Sequence, residues 1–497
     1  MKSKFRFVIL LFLALFSFQS CEDQNDVLVR TDTAIQEFIW NGLNLFYLWQ
    51  GDVPDLADNR FASEVQFNSF LSNYSEPENL FDSLLYKPDS RYSDAEAVDR
   101  FSWIVDDYLE LEGQLQGNTN SNGVEFGLSY KNKALSDEVI GWVRYIVPNS
   151  DAATKDIKRG DIFYAVDGIQ LTITNYATLL FGATNNYTLN FANYDNGNFS
   201  SNGKSVALTK SPLEENPILI NKVISSGSHK IGYLMYNGFY SNYDTELNNA
   251  FGLLKSEGIT DLVLDLRYNG GGSVQSATRL ASMITGSFTG QVFAKEQWNA
   301  KLEPYFDAND LLNFFPGTIG NTPIQSVGMT KVYILTTINS ASASELIING
   351  LKPYIEVIQI GTKTTGKNVG SITLYDSPNF GKANRNPNHR YAMQPIVCKT
   401  VNAQGFGDYQ SGIAPTYEQV EYINTLGTLG DTTETLLAVA IAKITGIGRM
   451  KPAKSGIACT SFSDSKSRNR FQNQMYLEKA PKALAKALRL STDSFIN

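Results

Sequence analysis

The chain has 497 residues, 42% of them hydrophobic, enough for about three domains with buried cores. Its formal net charge of -8 argues against nucleic acid as a partner, because phosphate binding needs a positive field. Two histidines and three cysteines, none at metal-ligand spacing, leave little material for a metal centre or a histidine-based hydrolase.

Lys2, Lys4 and Arg6 precede an apolar run from Phe7 to Phe18, followed by Gln19-Ser20-Cys21. Residues 1–20 therefore read as a signal peptide, too short to span a bilayer comfortably. The arrangement resembles a bacterial lipoprotein signal, in which a cysteine just after the apolar run is acylated. By that resemblance Cys21 carries the lipid and ties the protein to the cell envelope at the outer membrane. Phe18 stands where that pattern usually has Leu, so plain secretion with nearby cleavage is the alternative. Glu22, Asp23 and Asp26 resemble acidic signals that send lipoproteins to the outer surface. Residues 21–31 read as a polar tether.

Between 32 and 112, Ile35, Phe38, Ile39, Leu43, Phe46 and Tyr47 recur at three- and four-residue steps, the mark of amphipathic helices. Trp40, Trp49 and Trp103 could line a peptide groove, but such spacing more often marks a helix core. From 113 to 212 the period changes to short strands with turn signals: Val124 to Tyr130, Glu138 to Ile146, Ile162 to Val166 and Tyr187 to Phe191. Here Phe126-Gly127-Leu128-Ser129, the stretch from Pro148 to Ala153, Ile157-Lys158-Arg159-Gly160-Asp161-Ile162 and Val166-Asp167-Gly168 resemble the ordered landmarks of a PDZ domain. The resemblance implies that Phe126, Gly127, Leu128 and Ser129 bind an extended peptide at a sheet edge. An unrelated small β-domain is the alternative.

From 213 to 445 strands and helices alternate, as in a layered α/β domain. Asp261 to Arg267 is a near-continuous apolar strand running into Tyr268-Asn269-Gly270-Gly271-Gly272, with a helix expected from Ser273 to Ile284. The glycines can present consecutive N–H groups to a charged atom. The loop lacks the lysine and hydroxyl of a nucleotide-binding loop and the GxGxxG spacing of a dinucleotide site. A second strand, Lys331 to Thr337, leads through Ser342 into a helix from Ala343 to Lys352. A third, Ile355 to Ile360, leads into Gly361-Thr362-Lys363-Thr364-Thr365-Gly366-Lys367. Parallel strands joined by a helix put Ser342 and Lys367 at one sheet edge. From Gly446 on, ten Lys or Arg stand against three Asp or Glu, so residues 446–497 read as a basic, solvated tail with a final helix around Lys479 to Leu490. Contact of this tail with anionic lipid or an acidic partner is the alternative. Cys398 and Cys459 could pair in an exported protein or stay free.

A serine hydroxyl is a weak nucleophile until a base takes its proton, and a lysine with pKa about 10.4 is protonated at neutral pH. Lys367 would serve as that base only if desolvated, with Thr364, Thr365, Val369 and Ile372 as uncharged neighbours. Taken alone, Ser342-Ala343-Ser344-Glu345 is equally a capping box at a helix start.

The order of a PDZ-like segment, Asp265-Leu266-Arg267-Tyr268-Asn269-Gly270-Gly271-Gly272, Ser342-Ala343-Ser344-Glu345 and Gly361-Thr362-Lys363-Thr364-Thr365-Gly366-Lys367 resembles the carboxyl-terminal processing peptidases, over about Gly113 to Ala442. The resemblance implies an α/β and α+β multidomain protein: an N-terminal helical region, a PDZ-like β-domain and a ClpP/crotonase-like layered catalytic core. It further implies Ser342 as nucleophile, Lys367 as general base, Ala343 and Gly271 as oxyanion donors, and neither metal nor cofactor. Many members carry Gln four residues after the lysine to orient it, whereas Ser371 stands here. The expected function is a serine endopeptidase cleaving exported, unfolded polypeptides near their C-terminal ends. A non-catalytic peptide- or hydrophobe-binding surface protein on the same scaffold is the alternative. A form that must first be switched on, by peptide binding or removal of a segment, is a third.

Overall fold

The computed structural model describes residues 33–131, 136–195, 198–446, 461–466 and 473–478. The expected signal peptide, Cys21, the tether, Cys459 and the expected helix from Lys479 lie outside them. The described residues divide into two compact units, one of those up to Leu45 with Trp49–Val98, the other of Phe46–Leu48 with those from Asp99 onward.

The first unit is helical. The expected periodicity appears as α1 (Ala34–Phe46), which buries Phe38, Ile39, Trp40 and Leu43. Helix α2 (Glu64–Leu71) starts on Ser63, whose side chain accepts from the Gln66 N–H, and α3 (Pro77–Ser83) starts on a proline that fits the first turn. Trp40 meets Phe61 and Phe67 edge-on and donates from Nε1 to the Asp55 carbonyl at 2.8 Å, so it is a core residue. Trp103 belongs instead to the second unit, in a short strand, β1 (Trp103–Val105), paired with Ala392–Gln394. Helical periodicity over 32–112 did not reveal that strand.

In the second unit, β2 (Val124–Tyr130), β3 (Val139–Ile146) and β4 (Ile162–Val166) lie within a residue of expectation. After α4 (Tyr176–Phe181), the next strand, β5 (Asn186–Asp195), runs longer than expected because it pairs along its length with β6 (Asn198–Thr209). Strands β2 to β6 form one antiparallel sheet over a core of Phe126, Leu128, Val143, Phe163, Leu189 and Phe191.

The layered part begins with the antiparallel pair β7 (Ile218–Ser226) and β8 (His229–Tyr236). Helix α5 (Asp244–Ser256), β9 (Asp261–Asp265), the glycine loop with β10 (Gly272–Ser273) and α6 (Val274–Thr285) follow. Next come β11 (Val292–Trp298), β12 (Leu312–Phe314), β13 (Lys331–Thr336), α7 (Ala343–Leu351), β14 (Glu356–Gly361), β15 (Val369–Ser371), β16 (Ile396–Asn402), β17 (Tyr417–Glu418) and α8 (Thr435–Thr445). One six-stranded sheet has the order β7-β8-β9-β13-β14-β17, parallel from β8 onward. Helices α5, α6 and α7 cover one face, with Phe251, Leu280, Met283, Leu346 and Ile347 fully buried; α8 covers the other with Leu436 and Leu437. The result is a mixed α/β multidomain protein.

Two short strands from beyond α8 complete other sheets. β18 (Ser461–Asp464) adds antiparallel to the edge of β2. β19 (Met475–Tyr476) lies between β10 and β15, parallel to both, in a sheet that continues through β16 and β11 to β12. The reading of 446–497 as a solvated tail is therefore corrected for its described parts: net positive charge conceals Phe462, Met475 and Tyr476, which pack on the fold.

Candidate active site

Strand β9 delivers the glycine loop from a heavily charged anchor. Arg267 is fully buried; it meets Asp265 Oδ2 at 2.7 Å, Glu421 Oε1 at 2.8 Å and Glu434 Oε1 at 2.6 Å. Arg159, from the turn before β4, reaches Glu421 at 2.7 Å and the Tyr268 hydroxyl at 2.7 Å. The two guanidinium groups hold the Glu421 carboxyl down to about 2 against a burial penalty that acts the other way. Asn269 then ties the loop to its neighbours. Its side chain donates to the Tyr236 carbonyl at 2.8 Å and its own carbonyl accepts from Ser344 Oγ at 2.9 Å.

Ser342 sits one residue before α7, fully buried, at φ 62° and ψ -116°. A residue with a Cβ is strained there, which marks a position over-determined by its surroundings. Its N–H donates to Glu345 Oε2 at 2.8 Å, one half of a capping box. The other half is loose: Oγ faces the Glu345 N–H as in a capping box, but among the described residues it has no regular hydrogen bond. A helix-capping serine uses its hydroxyl, and this one is left over.

Glu345 does more than cap. Oε1 accepts from Thr364 Oγ1 at 2.5 Å and the Gly366 N–H at 2.7 Å, and Oε2 accepts from both the Ser342 and the Lys367 N–H at 2.8 Å. One carboxylate thus joins the start of α7 to the loop after β14, bringing Ser342 and Lys367 together. Burial pushes the Glu345 carboxyl up, opposed by these four donors.

Lys367 is fully buried, and desolvation pulls its amine down to about 7 although Asp99 and Glu345 favour the charged form. Its Nζ lies 4.8 Å from the centre of the Phe101 ring and donates to Gln474 Oε1 at 3.2 Å. Asp99 fixes the turn that carries Phe101 by accepting from the Phe101 and Ser102 N–H groups, while Arg100 donates to the Gly366 and Gln410 carbonyls. Thr364 is drawn to Glu345, so the environment owes its low polarity to Phe101 and burial more than to the threonines. Ser371 Oγ donates to the Met475 carbonyl at 3.2 Å, and the segment it holds brings in Gln474. Asp99, Phe101 and Gln474 were not foreseen; Gln474 lies 107 residues after the lysine, and only the absence of glutamine at 371 hinted that another would be needed.

Gly271 (φ 112°) packs against the serine: a Cβ there would lie 2.7 Å from Ser342 Oγ and 2.6 Å from the Gln474 carbonyl oxygen, so only glycine fits. Its N–H, expected to face an oxyanion, donates instead to Asn269 Oδ1 at 2.9 Å, because the asparagine side chain folds back over the loop. The Gly272 N–H donates to the Gln474 carbonyl at 2.5 Å. Ala343 opens α7, so no carbonyl of its own helix lies in position to accept from its N–H. Phe126 to Ser129 lie on β2, but their edge is filled by β18. Cys398 is a buried free thiol. His229 and His389 bond Asp261 and Asp376, away from this cluster, and among the described residues no group of three His, Cys, Asp or Glu is placed to hold a metal.

Residues 230–392 match the family model for peptidase family S41, and residues 34–103 match that for the peptidase S41 N-terminal domain. A Bacteroides fragilis crystal structure titled as an S41 protease is 26% identical, with a TM-score of 0.64 over 83% of this chain and 98% of its own. The chloroplastic C-terminal processing peptidase of Tetradesmus obliquus is 24% identical over 56% of this chain and 60% of its own length. A CtpA-like serine protease of Staphylococcus epidermidis is 29% identical over 32% of this chain, which spans 30% of that protein. Over these two stretches the chain resembles the peptidase S41 family.

Proposed function

We propose that this chain is a serine-type endopeptidase acting on exported, unfolded polypeptides near their C-terminal ends. Ser342 Oγ attacks the scissile carbonyl carbon and its proton passes to Lys367 Nζ, then to the leaving amine as the C–N bond breaks. Water attacks the resulting ester with Lys367 again taking the proton, and the acid and free serine are released. The observation that carries this reading is a hydroxyl without a regular hydrogen bond and a buried lysine whose pKa has fallen to about 7, the backbone N–H groups of both residues held by Glu345 Oε2. A base poised near neutral pH suits proton abstraction. Gln474 orients the amine in place of a glutamine at 371. The Ala343 N–H serves the oxyanion, joined by a glycine-loop N–H after a peptide rotation that Gly271 and Gly272 permit. Ser342 and Lys367 are fully buried, so the working form opens when a polypeptide enters.

The β-domain from 113 to 212 acts as the PDZ-like peptide receiver. Residues 1–20 direct export, and acylation at Cys21 anchors the protein in the bacterial envelope; labelling with a fatty acid that persists in Cys21→Ser would exclude the anchor. Hydrolysis of a labelled unfolded protein tests the activity. Ser342→Ala and Lys367→Ala should each abolish turnover, and Ser342→Ala should leave stability within about 0.5 kcal/mol of wild type, since its Oγ has no regular hydrogen bond to lose. A loss of about 1 kcal/mol with turnover intact would return Ser342 to helix capping.

A further inference from the structure

The edge of β2 is occupied by the chain itself. Strand β18 lies antiparallel to it, Ser463 opposite Leu128 and Asp464 opposite Gly127. Ser465 continues the pairing: its N–H donates to the Phe126 carbonyl at 3.0 Å, and its Oγ accepts from the Phe126 N–H at 3.1 Å. Side chains grip as well as backbone. Phe462 packs 4.8 Å from the ring centre of Tyr130 on β2 and 5.4 Å from that of Tyr176 on α4, so its ring fills the groove between strand and helix. Two residues on, Asp464 Oδ2 accepts from Arg144 Nη1 at 2.7 Å, with both side chains at most 4% exposed.

Arg144 is an unusual anchor. Its guanidinium stands 5.2 Å from the Trp142 ring centre and 5.1 Å from that of Tyr268, and among the described residues its Nε and Nη2 have no hydrogen-bond partner. A planar fork with donors to spare, in a dry aromatic setting, is suited to taking both oxygens of a carboxylate. Asp464 supplies one oxygen from a side chain. Tyr268 precedes the glycine loop directly, so this anchor touches the residue that leads into that loop.

We infer that this groove binds a peptide carrying an aromatic residue and, two positions towards its C-terminus, a carboxylate held by Arg144, and that residues 461–465 are a built-in ligand of that class. The inference rests on the peptidase reading and names the polypeptide class that reading leaves open. A carboxylate at this position can be an acidic side chain or the terminus of a cut chain. A tethered ligand competes at an effective concentration of the order of millimolar, so outside peptides must displace it.

The test measures binding, not turnover. A fluorescent heptapeptide, Thr-Ser-Phe-Ser-Asp-Ser-Lys, is titrated against the full chain, wild type and Phe462→Ala. Phe462→Ala should bind it at least about tenfold more tightly, because its own strand holds less well. Replacing Phe by Ala or Asp by Asn in the peptide, or Arg144→Met in the Phe462→Ala chain, should each remove that gain. A peptide Thr-Ser-Phe-Ser-Ala with a free terminal carboxylate, compared with its amide, separates the two carboxylate sources; binding of either carboxylate form supports the inference. In the wild-type chain, excess heptapeptide should speed amide exchange in 461–465 while β2 stays protected. Equal, weak binding by both chains with exchange in 461–465 unchanged overturns the proposal and leaves the hydrolysis test standing. Peptide binding without hydrolysis by wild type would instead sink the peptidase reading alone.

Discussion

Replacing Lys367 by Met should stabilise the protein while abolishing its activity, and the gain should depend on pH in a defined direction. The folded amine has a pKa of about 7 against about 10.4 in an unfolded chain. The folded state therefore binds fewer protons than the unfolded state between those values, and stability rises with pH across the window. At about 1.4 kcal/mol per unit, the buried amine costs the fold about 4 kcal/mol at pH 7, and about 1 kcal/mol remains at pH 10. Methionine has similar length and no charge to desolvate; it forfeits the bond to Gln474 Oε1, worth about 1 kcal/mol. The expected gain is about 3 kcal/mol at pH 7 and close to zero at pH 10. Urea unfolding of the two proteins at both pH values measures it. A gain equal at both pH values, or a loss at pH 7, would refute the claim that desolvation sets the state of this lysine. The same pKa places the acid limb of wild-type hydrolysis near pH 7, with activity rising as the amine loses its proton.

Glu345→Gln should lower stability by about 3–5 kcal/mol, since an amide NH₂ would face two of the four donors now satisfied and leave buried N–H groups unpaired. Turnover should fall with it, and a variant of wild-type stability would count against the joint. Gln474→Ala should reduce kcat about 10- to 100-fold with little change in KM, through loss of orientation alone. Gln474→Glu should keep an acceptor but shift the acid limb to higher pH, because a carboxylate favours the charged lysine. Unchanged or raised activity in Gln474→Ala would show that this side chain blocks the site instead of arranging it.

Much of the layered core was legible because its signals are local. The apolar run of β9, the glycine break and the amphipathic α6 follow one another, and parallel pairing of β13 with β14 follows from the helix between them. That logic brought Ser342 and Lys367 to one edge without any side-chain information. The direction of an N–H was beyond it: Gly271 was expected as an oxyanion donor, but the Asn269 side chain decides where its N–H points. Gln474 and β18 were missed for a related reason. Each acts on residues more than 100 positions away, and a segment read by net charge hides the irregular register after Ser461 that sends Phe462 and Asp464, two positions apart, to different faces of the strand. Trp103 was assigned to a helical stretch because a three-residue strand has no periodicity to detect.

The four bonds on Glu345 have an evolutionary implication. The distance between nucleophile and base is set across space by one carboxyl group, so the chain that joins them in sequence carries no part of that measurement. Residues 352–355, on the turn between α7 and β14, should accept insertions that leave the two strands and the loop after β14 in register. The separation of 25 positions between serine and lysine does not by itself set their spacing in the fold; the acidic residue three positions after the serine does.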